Sequence, residues 1–353
     1  MSRGKIEKFA GCLLGGAVGD ALGAPIEFSS LADIRGRFGP AGVRAYVSTA
    51  KNSRQEIGPK GRITDDTQMT MFTAEGLIRA YARWATRGIC SPPAVVFHAY
   101  IRWLHTQGLH SESSSFDKKD DGWLINVNGL HSQRAPGSTC LSALQRGRAV
   151  KTSKGCGGVM RAAPVGLFYD ATEAFEMGCK VAATTHGHPS GYLAAGYLAA
   201  VIANIIAGES VRAAIDAALP FLLAARRHKE CLCAINAAVQ LAEDRSVRPS
   251  PETVERLGEG WVAEEALAIS LYCALVAREN FRRGLLLAVN HSGDSDSTGA
   301  ITGNILGAHL GKAKIPASWL KELELREEIE QLANDLATRF RKGRAWLTRY
   351  PPW

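Results

Sequence analysis

The sequence predicts an all-α protein folded as a single domain. Apolar residues recur at intervals of three and four, as they do on the buried face of a helix, in six windows. These windows are residues 69–86, 92–107, 191–207, 211–225, 263–279 and 326–340. Alternation typical of β-strands is scarce, and the best example is the short segment 43–47. No repeat with a period of roughly 20 to 50 residues is evident, which argues against a solenoid.

Clusters of Pro, Gly, Ser and Asp separate the helical windows. They occur near residues 29–61, 108–138 and 245–260, where such residues favour turns and surface loops. A length of 353 residues would allow two domains, but these stretches fit loop insertions better than interdomain linkers. We therefore expect one domain spanning residues 1–353.

Glycine recurs at every fourth position in two segments, one near each end of the chain. The two sets are Gly11, Gly15, Gly19 and Gly23, and Gly299, Gly303, Gly307 and Gly311. An interior glycine costs a helix about 1 kcal/mol relative to alanine, so a compensating contact is expected. Spacing by four places each set on one ridge of a helix, where another backbone can approach closely. We predict two central helices, packed against each other, with a glycine-rich loop at one segment as the alternative.

Composition and charge limit the class of protein. The chain has 46% hydrophobic and 22% charged residues, which is ordinary for a soluble globular enzyme. Its formal charge of +8 favours anionic partners in general, and the basic residues are too dispersed to indicate nucleic acid.

The eight cysteines fall mostly in apolar stretches without metal-ligand spacing, so we expect reduced thiols and a cytoplasmic protein. Residues 1–8 lack the form of a secretory signal. The uncharged stretch 189–208 is expected to be a buried core helix rather than a membrane span.

Two acidic segments each begin a predicted helix. The first contains Thr64, Asp65 and Asp66, and its simplest interpretation is a helix N-cap, with Asp65 and Gln68 as a capping box. The second contains Asp294, Ser295, Asp296 and Ser297. This second segment resembles the start of an EF-hand loop. Thr298 and Ile305 stand where that loop carries Asp or Asn and its bidentate Glu, which excludes an EF-hand. Neither glycine-rich segment has a nucleotide-binding spacing.

Together the two acidic segments offer four carboxylates and the hydroxyls of Thr64 and Ser297 as ligands. Carboxylates brought close raise one another's pKa unless cations neutralise them. Two divalent cations would balance four negative charges, and ligation by oxygen alone suits Mg²⁺, Mn²⁺ or Ca²⁺ rather than zinc. If the segments meet in space, we therefore expect a two-metal site.

Five motifs resemble the ADP-ribosylglycohydrolase family of hydrolases. They are GDALG at residues 19–23 with Glu27, TDDT at 64–67, GCGGVMRAAP at 155–164, THGHP at 185–189 and GDSDSTG at 293–299. Each motif alone is weak, but five in the family's order, within residues 11–311, are specific. The resemblance implies an orthogonal helical bundle with a central metal-binding cleft that holds two divalent cations, Mg²⁺ or Mn²⁺.

The resemblance also implies which residues form the site. By motif match the metal ligands would be Thr64, Asp65, Asp66, Asp294, Asp296 and Ser297. Glu27, Asp65 and Asp66 would be catalytic, with Glu27 at the mouth near the distal ribose and one of the two aspartates as general base. The substrate-binding residues would be Gly155, Cys156, Gly157, Gly158, Met160, Arg161 and His186, with the diphosphate along the glycine-rich loop.

Three of these residues carry alternatives. Several family members have Asn at the position of Cys156, so this side chain would be either a ligand contact or a packed thiol. Arg161 suits a diphosphate, but a salt bridge in the core is an equal alternative. His186 would contact the ribose or phosphate, or cap the helix predicted at 191–207.

The chemistry of the residues agrees with the resemblance. The vicinal hydroxyls of a ribose are hard oxygen donors, and metals that hold them would orient the anomeric carbon. Asp65 or Asp66 would then take a proton from the attacking water. The usual pair of glycosidase carboxylates would be replaced by metals, base and electrostatics.

The expected activity is metal-dependent hydrolysis of the N-glycosidic bond of mono-ADP-ribosylated arginine on protein, which releases ADP-ribose. The arginine linkage rests on the similarity of residues 291–297 to arginine-directed members of the family. Hydrolysis of O-linked (serine) or small-molecule ADP-ribosyl conjugates is one alternative. The other is an immunity protein that occludes an ADP-ribosylating toxin, although the complete acidic set favours an enzyme over a pure binder. No nucleic acid or membrane partner is expected.

Overall fold

The structure, a computed structural model, describes residues 3–48, 59–112 and 121–352 and is built from helices. They are α1 Arg3–Gly23, α2 Leu31–Phe38, α3 Asp65–Arg87, α4 Pro92–Thr106, α5 Ser138–Gln145, α6 Ala163–Phe168, α7 Ala171–Ala182, α8 Pro189–Ala207, α9 Val211–Ala224, α10 Lys229–Glu243, α11 Pro251–Val254, α12 Ala263–Val276, α13 Phe281–Val289, α14 Ser295–Leu310, α15 Ala317–Glu322, α16 Arg326–Thr338 and α17 Arg344–Arg349. Within the described ranges there is no β-strand, only the isolated bridges Val150–His186 and Gly155–Val262. The predicted all-α class is confirmed.

Each of the six predicted helical windows lies on a helix, with small shifts at the ends. The largest shift is at α3, which begins at Asp65, four residues before its window. One continuous hydrophobic core joins residues from α1 to α17. A single core is what a single-domain fold requires.

Residues 43–47, the best example of strand-like alternation in the sequence, form no strand, because a side chain hydrogen-bonds the backbone there. The Asn290 amide accepts a hydrogen bond from the Val43 N–H at 2.7 Å and donates one to the Val43 carbonyl at 2.9 Å. A backbone satisfied by a buried amide has no need of a partner strand.

The predicted loops contain more regular structure than expected. Region 29–61 includes α2, which begins with a capping box between Ser30 and Asp33, while residues 49–58 lie outside the described chain. Region 108–138 includes two 3₁₀ turns, Leu124–Asn126 and Asn128–Leu130, and residues 113–120 are outside the description. Region 245–260 includes α11.

The two glycine ridges pack against each other, as predicted, in an antiparallel pair formed by α1 and α14. An added methyl group at Gly19 would lie 2.0 Å from the Gly299 carbonyl oxygen. At Gly303 it would lie 2.0 Å from the carbonyl oxygen of Gly15. The backbones are therefore in direct contact, and the glycine-loop alternative is wrong. Gly311 differs from the others because it ends α14 at a φ of 78°.

Two helices are long and apolar enough to pass a test for membrane spans, Gly4–Ile26 and Pro189–Ala207. In their most apolar windows, 94% and 78% of the residues are buried inside the protein. The second is α8, which therefore has the burial expected of the core helix predicted at 189–208.

The backbone contact between α1 and α14 leads to a stability prediction. Gly303→Ala places a methyl group too close to the carbonyl oxygen of Gly15, so the two helices must move apart. Overpacking of this kind typically costs about 1–3 kcal/mol of stability. We expect the free energy of unfolding in urea to fall by about that amount. Gly36→Ala is the matched control, because Gly36 lies in α2 with no atom within 4 Å of an added methyl group. Equal stability of the two variants would contradict the contact.

Candidate active site and metal centre

The first acidic segment begins α3, and its cap differs from the one predicted. Thr64 is the N-cap residue, and its hydroxyl accepts a hydrogen bond from the Asp66 N–H at 3.3 Å. The predicted capping box of Asp65 with Gln68 is wrong, because Asp65 is already the first helical residue. Capping by Thr64 leaves the Asp65 and Asp66 carboxylates available to line a cleft.

The second acidic segment begins α14 in a related way. Asp294 is the N-cap, and the Ser297 N–H donates to its carboxylate at 3.3 Å and to that of Asp296 at 2.9 Å. Both acidic segments therefore lie at helix N-termini, where the helix dipole favours negative charge.

The packing of the helices brings the acidic segments together in one cleft of 710 Å³. Gly23 at the end of α1 lies against the first turn of α14, where an added methyl group would be 2.3 Å from the Ser295 carbonyl oxygen. Glu27 follows shortly after α1. One carboxylate oxygen from each of Glu27, Asp294 and Asp296 lies within 4.8 Å of the others. Glu27 thus belongs to the acidic cluster itself.

The electrostatics of the cluster are unfavourable without a cation. Burial, followed by the negative charge of Asp296, raises the pKa of Asp65, Asp66 and Glu27. The described residues that line the cleft include no Lys or Arg. The +8 charge of the chain is therefore not concentrated at the cleft, and nothing basic there offsets the carboxylates.

The donor atoms fit a divalent metal centre. Three buried carboxylate oxygens, Glu27 Oε2, Asp66 Oδ1 and Asp294 Oδ2, have no hydrogen-bond partner. Unsatisfied buried carboxylates are costly, and cations that bind oxygen ligands would satisfy them. The cluster can therefore hold a divalent cation, with oxygen ligands of the kind predicted.

Asp20 supports the cluster from below and was not predicted as a site residue. Asp20 is fully buried. Its carboxylate accepts hydrogen bonds from the Thr64 N–H at 2.9 Å and from the Thr67 N–H. It also accepts one from the Thr67 hydroxyl. Burial and the charge of Asp296 raise the Asp20 pKa to about 7, against these hydrogen bonds. Its place in the motif at residues 19–23 was the available signal, but only the fold shows that it holds the start of α3.

The glycine-rich loop forms the opposite side of the cleft. Gly155, Cys156, Gly157 and Met160 line it, as does His186. An added methyl group at Gly157 would lie 3.0 Å from the His186 ring, so the loop packs directly on the imidazole. The cap of α8 is His188, whose Nδ1 accepts a hydrogen bond from the Ser190 N–H. His186 is therefore not the helix cap that was one of its alternatives.

Gly158 and Arg161 do not line the cleft. Arg161 is fully buried beneath it, with its guanidinium 4.1 Å from the centre of the Tyr100 ring and donating to the Thr185 hydroxyl. Thr185 in turn hydrogen-bonds His186 at 2.8 Å. Arg161 therefore contacts the lining of the cleft from behind, through the Cys140 sulfur at 3.5 Å and through Thr185 and His186, and its binding of the substrate stays a prediction. Thr64 also lies off the surface of the cleft, as the cap of α3.

Two aromatic residues at the cleft were missed by the sequence analysis. Phe28 and Trp261 stack with ring centroids 4.9 Å apart and planes inclined by 18°. Both line the cleft next to Glu27. Phe28 has a φ of 68°, a left-handed conformation that is unfavourable for its side chain, and it is 49% exposed. Strained residues of this kind cluster at functional sites.

The segment just before α5 completes the lining and was also missed. It contributes Gln133 and Pro136, among others, from the end of the region predicted as a loop, and Ser138 follows as the first residue of α5. The Gly137 N–H donates to the Asp65 carboxylate at 3.3 Å, which ties this segment to the acidic cluster.

Asp296 offers a test of the metal centre. Asp296→Asn removes the charge that raises the pKa of several neighbours, so the metal-free protein should become more stable. We expect its melting temperature in EDTA to rise by roughly 2 °C or more and its stabilisation by Mn²⁺ to be lost. Scanning fluorimetry measures both. Glu209→Gln, on an exposed turn, is the control for one lost surface charge. Unchanged stabilisation by Mn²⁺ in Asp296→Asn would contradict a metal role for this residue.

The comparison with known proteins agrees with these features. The model of the ADP-ribosylglycohydrolase family matches residues 1–345. ADP-ribosylarginine hydrolase Tri1 of Serratia proteamaculans is 27% identical, with 94% of this chain and 79% of that protein covered. ADP-ribosylhydrolase ARH3 of Bos taurus is 23% identical, with 96% and 94% covered.

A solved structure shares the fold. It is described as an ADP-ribosylglycohydrolase-related protein complex, and it matches with a TM-score of 0.67 and 28% identity over 95% of this chain and 98% of that one. The match of the family model over nearly the whole chain, together with an acidic cleft built from the family's motifs, establishes the family. The chain belongs to the ADP-ribosylglycohydrolase family and is a hydrolase.

Proposed function

We propose that this hydrolase cleaves the N-glycosidic bond of mono-ADP-ribosylated arginine on protein and releases ADP-ribose. The observation that carries the arginine linkage is the stacked pair Phe28 and Trp261 beside Glu27. A guanidinium is a planar cation that stacks on aromatic faces and pairs with carboxylates. A serine linkage offers neither a plane nor a charge to such a pair.

The site would hold two divalent cations, Mg²⁺ or Mn²⁺. Their ligands would be Thr64, Asp65, Asp66, Asp294, Asp296 and Ser297. When bound, such ions supply a fixed positive charge that orients the ribose hydroxyls and lowers the pKa of water. Support comes from the oxygen ligands and from the buried carboxylate oxygens that have no other partner.

Two carboxylates of the chain have separate roles, one toward the attacking water and one toward the leaving group. Asp66 Oδ1 is buried and free of hydrogen-bond donors, so it accepts the proton of the water that attacks the anomeric carbon. Glu27 Oε2 is in the same state and accepts a hydrogen bond from the guanidinium of the leaving group. The bond between the anomeric carbon and nitrogen breaks, and the guanidine leaves as a neutral base.

The glycine-rich loop binds the diphosphate in this proposal. Gly155 and Gly157 have no side chains, so a ligand can approach their backbone N–H groups. Burial and the charge of Arg161 lower the pKa of His186 to about 3, so its imidazole is neutral beside the loop. A neutral ring hydrogen-bonds a ribose hydroxyl without adding a charge.

The relatives support ADP-ribosyl hydrolysis but differ in what their names say of the linkage. Tri1 is named for arginine, whereas the name ARH3 specifies no linkage. The arginine linkage therefore rests on the aromatic pair and on Glu27, and it can be tested directly.

The first test compares two substrates. The purified chain is incubated with ADP-ribosyl-arginine and ADP-ribosyl-serine peptides, each with Mg²⁺, with Mn²⁺ and with EDTA, and released ADP-ribose is quantified. We expect release from the arginine peptide only, reduced about 100-fold or more by EDTA. Release from the serine peptide alone would overturn the linkage. Release from neither, with tight binding of ADP-ribose, would favour a binder such as an immunity protein.

The aromatic pair gives a second prediction. Phe28→Ala and Trp261→Ala each remove a stacking surface worth about 1 kcal/mol, so KM for the arginine peptide should rise about fivefold. The affinity for free ADP-ribose, measured by calorimetry, should stay the same, because the rings contact only the arginine side. Ile89→Ala is the control, since Ile89 is an exposed apolar residue outside the cleft lining. An equal loss of ADP-ribose affinity would show that the rings hold the other part of the substrate.

A further inference from the structure

The Cys156 thiol lies inside the acidic cleft, among ligands that are otherwise oxygen atoms. Its sulfur accepts a contact from the Ser297 hydroxyl at 3.6 Å, and its side chain lines the same cleft as Asp66 and Asp294. The Cys156 N–H donates to the Trp261 carbonyl at 3.2 Å, which fixes the backbone that carries the thiol. The sulfur therefore has a defined position at the edge of the metal centre.

Two carboxylates that line the same cleft as this sulfur are only partly hydrogen-bonded. Asp294 is 2% exposed and Asp66 is 3% exposed, and each has one oxygen without a hydrogen-bond donor. Hard cations such as Mg²⁺ prefer oxygen and leave a protonated thiol unbound.

A thiophilic cation would use the sulfur as well. Thiolate ligands favour Zn²⁺ and Cd²⁺, and mixed sets of sulfur and oxygen ligands bind them more tightly than oxygen alone. Binding breaks the S–H bond, releases the proton to solvent and forms a bond from sulfur to the metal, without oxidation or reduction.

We infer that Cys156, with Asp294 and Ser297, forms a Zn²⁺ site that overlaps the hard-metal centre and through which Zn²⁺ inhibits the enzyme. Zn²⁺ held by the thiolate would occupy ligands that the hydrolysis reaction needs. Binding at this site does not depend on which ADP-ribosyl linkage the enzyme cleaves.

Cys140 offers a matched control, because it is a second thiol at the same cleft. It is 1% exposed, and its sulfur accepts a hydrogen bond from the Arg161 guanidinium at 3.5 Å. A fixed positive charge beside the sulfur opposes binding of a cation there. Cys140 should therefore contribute no metal ligand.

The binding test uses Cd²⁺ as the probe, because its bond to a thiolate absorbs in the ultraviolet. The metal-free full chain is titrated with Cd²⁺, and we expect a thiolate band that saturates at one equivalent and is removed by added Zn²⁺. Cys156→Ser should lose this band, and Cys140→Ser should keep it. Cys156→Ala provides a second variant if the serine variant does not fold, with folding checked by thermal melting. A saturable band of equal size without Cys156, or no band in the unaltered protein, would overturn the site.

The inhibition test follows hydrolysis of whichever ADP-ribosyl peptide the enzyme cleaves, at a fixed Mn²⁺ concentration. Zn²⁺ should inhibit the unaltered enzyme at about tenfold lower concentration than Cys156→Ser. Equal inhibition of the two proteins would contradict the inhibitory role while leaving the Cd²⁺ result to decide on binding. Because the Cd²⁺ band requires no substrate, failure of the proposed arginine activity would not alter it.

Discussion

The antiparallel contact between the backbones of α1 and α14 is the constraint on which the site depends. Three glycines of one helix lie against three of the other, and the last glycine of α1, Gly23, lies against Ser295 at the start of α14. The same α1 carries Asp20, which holds the first turn of α3 through the N–H groups of Thr64 and Thr67. One helix therefore sets the positions of both acidic segments. Contacts between backbones have no rotamers to adjust, so this arrangement is rigid.

This rigidity explains how mutually repelling carboxylates are held together. The negative charges of neighbouring carboxylates, added to burial, raise the pKa of Asp66. Among the described residues, no basic side chain lines the cleft to offset these charges. Packing energy elsewhere in the core must offset this repulsion in the metal-free chain. The helix N-termini at Asp65 and Asp294 reduce the cost, because their dipoles favour negative charge. A divalent cation bound by the cluster would relieve the rest and thereby stabilise the folded chain.

Local patterns in the sequence predicted much of this structure. Apolar periodicity located the helices, glycine spacing predicted the central pair, and the acidic motifs predicted the main carboxylates of the cleft. The features that local patterns did not predict depend on distant neighbours. The Arg161 guanidinium is chemically suited to bind a phosphate. Its position in the core, against the Tyr100 ring, becomes evident only in the folded structure. Phe28 and Trp261 lie far apart in the chain and become a pair only through folding. Residues 43–47 alternate as a strand would, yet one buried amide, that of Asn290, satisfies the Val43 backbone instead of a partner strand.

The left-handed backbone at Phe28 has a consequence for how such a protein changes under selection. Glycine is the residue that this conformation favours, and an aromatic residue there costs about 1–3 kcal/mol of strain. Selection for thermal stability alone would tend to replace the ring, whereas selection for its stacking on Trp261 at the cleft would retain it. The residue thus marks a position where backbone strain and a side-chain contact at the cleft oppose each other. A laboratory evolution experiment that rewards only heat resistance should drift toward glycine at this position.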